Sequence, residues 1–131
     1  MNDKYTIIAI MGKAGSGKDT LCRALLEEPE FANAQPIVSC TTRPIRDNET
    51  DGIDYHFISN EEFTNQIFSG EMLEATVFNN WCYGTSINNL STEHLNIGVF
   101  NPEGVGLLRD RNNVTLALIY VEADDKVRLL R

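Results

Sequence analysis

Apolar residues in this chain fall into short runs divided by polar turns, and the runs are of two kinds. Tyr5-Thr6-Ile7-Ile8-Ala9-Ile10-Met11 is β-branched and almost unbroken, the pattern of a strand buried on both faces. It leads into a glycine-rich turn, Gly12 to Gly17, and then a helical pattern from Asp19 to Glu28 that Pro29 stops. Ile37 to Thr42 predicts a second strand, followed by a polar turn from Arg43 to Gly52. Asp54-Tyr55-His56-Phe57-Ile58 alternates like a strand with one wet face. Ser59-Asn60-Glu61-Glu62 predicts a capped helix start, with Phe63, Ile67 and Phe68 on the apolar side. Met72 to Phe78 predicts another strand.

Leu95 to Phe100 is apolar again, and Asn101-Pro102 supplies a helix cap and first helical residue. Val114 to Val121 is the longest strand pattern, and Asp124 is placed to cap a last helix running to Arg131. The order is βα, a mixed β-rich insert, then βαβα, which predicts an α/β fold around a parallel sheet. No linker composition intervenes, so residues 1–131 are expected to form one domain. Its core would be 1–36 and 87–131, with a lobe at 37–86. Trp81 and the phenylalanines are expected to pack in the core or the lobe, and His56 and His94 lack metal-site spacing.

Composition narrows the function. The chain has 131 residues, 42% hydrophobic and 23% charged, which fits a single globular domain. Asp and Glu number 19 against 11 Lys and Arg, a net charge of −8. That balance disfavours nucleic acid or an anionic membrane as the main partner, while leaving room for a small anion in a locally positive pocket. No apolar stretch near the start approaches the roughly 20 residues of a membrane span, and the N-terminus does not resemble a secretory signal. Cys22, Cys40 and Cys82 are too scattered for a disulfide framework, and reduced thiols in a cytoplasmic protein are expected.

Gly12-Lys13-Ala14-Gly15-Ser16-Gly17-Lys18 fits G-x-x-x-x-G-K between a strand pattern and a helix pattern, the context a phosphate loop requires. Small residues let successive backbone N–H groups turn in around a phosphate, and the helix N-terminus adds partial positive charge. Lys18 would reach the β- and γ-phosphates as a compact cation. Such loops usually continue with a hydroxyl residue that ligates Mg²⁺; here Asp19 follows, then Thr20. Asp19 is either a metal ligand or a negative charge welcome at a helix start.

A second anion site is suggested by the segment from Ser39 to Phe57. Arg43 and Arg46, braced by Pro44, follow the hydroxyl-rich Ser39-Cys40-Thr41-Thr42, and Tyr55 lies beyond. Guanidinium forks suit phosphate oxygens, with hydroxyls completing the shell. Taken alone, the arginines could equally be neutralised by Asp47, Glu49 or Asp51.

Together these words resemble the guanylate kinase family. That family has a phosphate loop, then S-x-T-T-R-x-x-R-x-x-E-x-x-G-x-D-Y-x-F, a helix, a glutamate and Y-G-[ST]. The matching pieces are Ser39 to Phe57, Glu62-Phe63, Gly70 to Glu74 and Tyr83-Gly84-Thr85, and the resemblance covers about residues 5–104. It implies a P-loop NTPase-type parallel sheet with helices on both faces and a lobe that binds a nucleoside monophosphate. It also implies that Ser39, Arg43, Arg46, Tyr55 and Tyr83 hold the monophosphate's phosphate, while Glu74 and Thr85 read guanine. The chemistry is sound: guanine offers N1–H and an N2 amino group side by side to one carboxylate, and adenine has no such pair.

The implied reaction transfers the γ-phosphoryl group of ATP to GMP or dGMP, with Mg²⁺ as cofactor. Lys18, Arg43 and Arg46 would be the catalytic cations, and the partners are small nucleotides. The loop from Gly12 to Thr20 would hold the ATP phosphates. The chain departs from the family where a D-x-D-x-x-G word is expected, reading Val99-Phe100-Asn101-Pro102-Glu103-Gly104. One hypothesis joins two departures: Asp19 resupplies the metal-site charge lost at Val99. The family's lid and final helix would follow Arg131, where Arg128 or Arg131 would begin the lid, so weak transfer is expected of this stretch alone. Two other readings are a guanylate kinase-like binding module and a P-loop kinase for a different nucleoside monophosphate. The intact phosphate loop weighs against the first; Glu74 with the Tyr55 and Tyr83 pair weighs against the second.

Overall fold

A computed structural model describes residues 4–13 and 16–122. In chain order the strands and helices are β1 (Tyr5–Gly12), α1 (Lys18–Glu27), β2 (Gln35–Pro36), β3 (Cys40–Thr41), β4 (His56–Phe57), α2 (Asn60–Phe68), β5 (Met72–Phe78), β6 (Trp81–Ser86), β7 (Asn96–Val99), α3 (Pro102–Arg109) and β8 (Val114–Val121). Ala14, Gly15 and the helix anticipated from Asp124 to Arg131 lie outside the described residues.

The apolar run after Lys4 becomes β1 because it has a neighbour on each side. The sheet order is β2-β7-β1-β8, every pairing parallel, with Ile7 opposite Asn96 on one flank and Leu116 on the other. Tyr5, Ile7 and Ala9 then share a core with Phe100 and with Val105 and Leu108 of α3. Asn101 caps α3, its Oδ1 accepting from the Gly104 N–H at 2.6 Å, and Pro102 takes the first turn, as the sequence predicts. Ser59 likewise caps α2 by accepting from the Glu62 N–H at 3.0 Å.

A second, mixed sheet runs β4-β3-β6-β5, with β3 parallel to β4 and antiparallel to β6. The single strand expected from Ile37 to Thr42 is instead divided. Gln35 and Pro36 pair with β7, whereas Cys40 and Thr41 pair in the other sheet, and the chain passes between sheets at residues 37–39. Strand β6 escaped the sequence reading, although Asn79 and Asn80 connect it to β5. Both asparagines have left-handed backbones (φ 51° and 69°), as a tight hairpin demands and asparagine tolerates.

The two sheets are joined through β5. Its Leu73 belongs to the main core with Val105 and Leu108, while Met72 packs with Cys40 and Phe63 under α2. Fully burying a leucine side chain stabilises by roughly 1.5–3 kcal/mol, so Leu73 is a substantial tie between the layers. The expectation that Trp81 and the phenylalanines are packed holds for Phe63 and Phe100, which are buried, and in part for Phe31 and Phe57, which are half-buried. Phe68 is 85% exposed, Phe78 66% and Trp81 36%, because α2 ends and the β5–β6 hairpin projects where no other described element covers them. Among the described residues no helix is long and apolar enough to cross a membrane.

Candidate functional site

Parallel pairing of β1 with β7 brings their C-terminal ends to the same edge of the sheet, where α/β folds place their ligand crevices. A cleft of about 420 Å³ opens there, between the end of β7 and the second sheet. Ser39, Tyr55, Glu74, Tyr83 and Gly84 line one side, and Val99, Phe100, Asn101 and Glu103 the other. Thr76, Val77 and Phe78 complete the wall.

Glu74 is the carboxylate at the bottom of this chemistry. It is buried, and the Thr85 hydroxyl donates to its Oε2 at 2.9 Å. Plain alternation along β5 would set Leu73 and Glu74 on opposite faces. A bulge between Met72 and Glu74 breaks the alternation, so Leu73 and Glu74 both face α3. Burial pushes the Glu74 pKa above the usual carboxylate range; the Thr85 hydrogen bonds oppose that shift, and Glu103 nearby adds to it.

Arg43 is the central cation of the second group. Its two terminal nitrogens fork onto Glu49, Nη1 to Oε1 at 2.9 Å and Nη2 to Oε2 at 2.8 Å. The guanidinium carbon lies 5.4 Å from the Tyr55 ring centre and 5.7 Å from that of Phe57, within cation–π range. Tyr55 in turn tilts against Tyr83 at 5.8 Å. Glu49 also accepts from the Arg46 backbone N–H at 2.9 Å, and Arg43 holds its pKa down at about 2. Of the three acidic partners the sequence offered, the structure therefore selects Glu49. Asp51 instead accepts from the Phe57 N–H at 3.0 Å, and Asp54 from the Thr50 N–H at 2.7 Å, closing the intervening loop. Arg46 is exposed, with no side-chain hydrogen bond or ion pair among the described residues.

The glycine-rich turn follows β1 directly. Gly17 is left-handed (φ 90°) at the start of α1, and Lys18 folds its Nζ back onto the Gly12 carbonyl at 3.0 Å. A side chain at Gly12 would meet Ser16 Oγ at 2.5 Å and the Val121 carbonyl at 2.8 Å, so the turn needs glycine there. The Ser16 hydroxyl is buried without a hydrogen-bond partner among the described residues, an acceptor–donor suited to an anion. Lys13, Asp19 and Thr20 are exposed beside it.

The structure thus gathers Ser39, Tyr55, Glu74 and Tyr83 in one cleft, with Thr85 bonded to Glu74 and Arg43 against Tyr55. It does not bring Arg43, Arg46 or the glycine-rich turn into that lining. Glu103 was missed. The word Val99 to Gly104 lacks carboxylates at the two positions where the family pattern has aspartate, yet Glu103 enters the cleft from the first turn of α3. Its place directly after a capping Asn-Pro pair was the available signal. Burial pushes the Cys40 thiol up to about 11 and also raises Cys22.

Comparison with known proteins gives a consistent result. A family model described as guanylate kinase matches residues 4–96. The chain is 49% identical over 83 residues to a guanylate kinase of Symbiobacterium thermophilum, an alignment covering 63% of this chain and 38% of that protein. It is 44% identical over 85 residues to a guanylate kinase of Helicobacter hepaticus, covering 64% of this chain and 41% of that one. The chain therefore spans about two-fifths of the length of these curated relatives. The crystal structure of guanylate kinase from Anaplasma phagocytophilum superposes with a TM-score of 0.66 at 25% identity, over 99% of this chain and 68% of that one.

Proposed function

The chain belongs to the guanylate kinase family, and on that footing we propose that it binds GMP or dGMP in the cleft and serves transfer of the γ-phosphoryl group of ATP to it. The observation that carries this reading is the buried Glu74–Thr85 pair in a cleft that Tyr55 and Tyr83 also line, with Arg43 packed behind Tyr55. Ionised Glu74 would accept from guanine N1–H and the N2 amino group, while Thr85 orients the carboxylate. Adenine would leave that buried carboxylate unpaired, at a cost of about 3 kcal/mol or more.

Arg43, Arg46, Tyr55, Tyr83 and Ser39 would hold the monophosphate. The Arg43 fork onto Glu49 pre-sets the guanidinium plane, so little side-chain entropy is lost when a phosphate docks on its remaining edge. Lys18, the Ser16 hydroxyl and the N-terminus of α1 would take the donor phosphates. Both reactants are anions, so catalysis here is positioning and charge neutralisation; the attacking phosphate oxygen is already ionised and needs no base. Closure of the lobe, residues 37–86, toward the phosphate loop would exclude water.

Magnesium fits the donor set as an ion carried on the nucleotide, since such sites need only one or two protein oxygens beside the phosphates. Asp19, exposed on the first turn of α1, is the carboxylate that would hold it, with Thr20 adjacent, and the ion would supply charge neutralisation. Asp19→Ser should then weaken magnesium-dependent ATP binding more than loss of the surface carboxylate Glu27; equal magnesium titrations of the two variants would remove Asp19 from this role. A cytoplasmic setting belongs to the same proposal, and it accords with three free cysteines.

Calorimetric titration with GMP, dGMP, AMP and ATP tests the reading. GMP and dGMP should bind the unaltered chain at least about 100-fold more tightly than AMP. ATP should bind as well, without competing with GMP. Equal affinity for AMP and GMP would remove the role given to Glu74.

A further inference from the structure

Resting on that reading of the cleft, we infer that Gly104 is a specificity-determining positioning residue: its bare Cα on α3 is the seat that holds the Glu74 carboxylate in guanine-reading geometry. A Cβ placed on Gly104 would lie 2.8 Å from Glu74 Oε1 and 3.2 Å from the capping Asn101 Oδ1. Contacts under 3.0 Å do not persist, so one partner must move.

The backbone of β5 is poorly placed to retreat. Arg111, in the turn between α3 and β8, donates Nε–H to the Leu73 carbonyl at 2.8 Å and Nη2 to the Met72 carbonyl at 3.1 Å. From the other side, Gly84 of β6 packs so closely that a Cβ there would meet the Glu74 carbonyl at 2.6 Å. Leu73, next in the chain, is sunk in the main core. The strain of an added methyl at Gly104 is therefore relieved at the far end of the Glu74 side chain, by swinging the carboxylate away from α3. That movement leaves the β5 backbone in place, at some cost to the Thr85 hydrogen bond, and it is most costly for recognition, because a carboxylate that serves two adjacent donors tolerates little displacement.

The same helix supplies its own control. Gly106 has nothing within 4 Å of where its Cβ would stand, and neither glycine has a left-handed backbone. Gly104→Ala and Gly106→Ala both improve helix propensity; G106A should melt at or above the temperature of the unaltered chain, and in G104A that gain offsets the displaced Glu74 bond to within a few degrees. Only the first touches Glu74.

The test compares GMP with inosine monophosphate, the 6-oxopurine nucleotide that lacks the 2-amino group, by calorimetry on the unaltered chain and both variants. G104A should lose about 10-fold in GMP affinity and less than about 3-fold in inosine monophosphate affinity, so that discrimination between them collapses. G106A should keep both affinities. An unchanged preference for GMP in G104A overturns the inference. So does a chain that melts several degrees lower and loses both ligands in equal proportion, since that marks a purely structural role. If the unaltered chain and G106A themselves fail to prefer GMP, the reading of the cleft falls, and the role of Gly104 with it.

Discussion

The cleft and the glycine-rich turn sit at the same edge of one sheet, yet they are built on opposite plans. In and beside the cleft, the two central charged groups are already held: Arg43 by Glu49 and two aromatic rings, Glu74 by Thr85 and the surface of α3. In the turn the fixed parts are backbone and one serine, and the cation Lys18 rests on a carbonyl of its own loop. Helix α1 behind it has no buried residue, whereas α3 behind the cleft buries Gly104, Val105 and Leu108. On the proposed function, the contrast matches what each side would recognise. A purine has to be told from its analogues by rigidly placed polar atoms, while a polyphosphate needs only amides, a dipole and a charge that can follow it.

The sharpest way to break the contrast is to remove Arg43. Arg43→Ala leaves Glu49 facing the phosphate site without its partner, so GMP affinity should fall on the order of 100-fold while ATP binding persists. Calorimetry reads both. Lys18→Ala should do the converse, lowering ATP affinity by roughly 10- to 100-fold and leaving GMP alone. If either variant lost both nucleotides equally, the two halves would not be separate sites.

A smaller effect separates two glutamates of opposite sign. Glu49 has its pKa lowered from 4.5 to about 2, so its contribution to stability is fully present above pH 4.5 and fades as pH falls toward 2. Glu74 is raised by burial, so it binds its proton more tightly in the folded chain and costs stability once ionised; that cost disappears as pH falls below 4.5. At pH 7, Glu49→Gln should melt below the unaltered chain and Glu74→Gln above it, with both differences shrinking toward pH 3. Thermal melts across that range check the signs. Glu74→Gln should also lose about 10-fold in preference for GMP over AMP, a case of stability yielded to recognition.

Much of this architecture was legible because strong local signals agreed with the fold. Met72–Phe78 and Val114–Val121 are strands over the very residues their apolar runs predict, and the caps at Ser59 and Asn101 are made. Ile37 to Thr42 misled because a continuous run says nothing about a chain that changes sheets partway. Strand β6 was hidden by its small and polar residues, Gly84, Thr85 and Ser86, which are buried against the neighbouring strands rather than displayed as an apolar face. In the candidate site, the residue types around Arg43 suggested an anion site without deciding it, and Glu74 stood out only through the resemblance to the guanylate kinase family. The partners that hold them, Glu49 on Arg43 and Gly104 under Glu74, are tertiary facts. The first depends on how the loop from Arg43 to Gly52 folds, which left Glu49 one of three candidates; the second depends on a bulge and on the packing of α3, neither of which leaves a period in the sequence.

A crystal structure of the chain with GMP bound tests the central claim most directly. The account predicts the guanine edge on Glu74 and Thr85, and the phosphate among Arg43, Arg46, Tyr55 and Tyr83. The Arg43–Glu49 fork and the Glu74–Thr85 bond should be displaced by less than about 1 Å. A nucleotide seated elsewhere, or an Arg43 that must abandon Glu49 before any phosphate can bind, would contradict it.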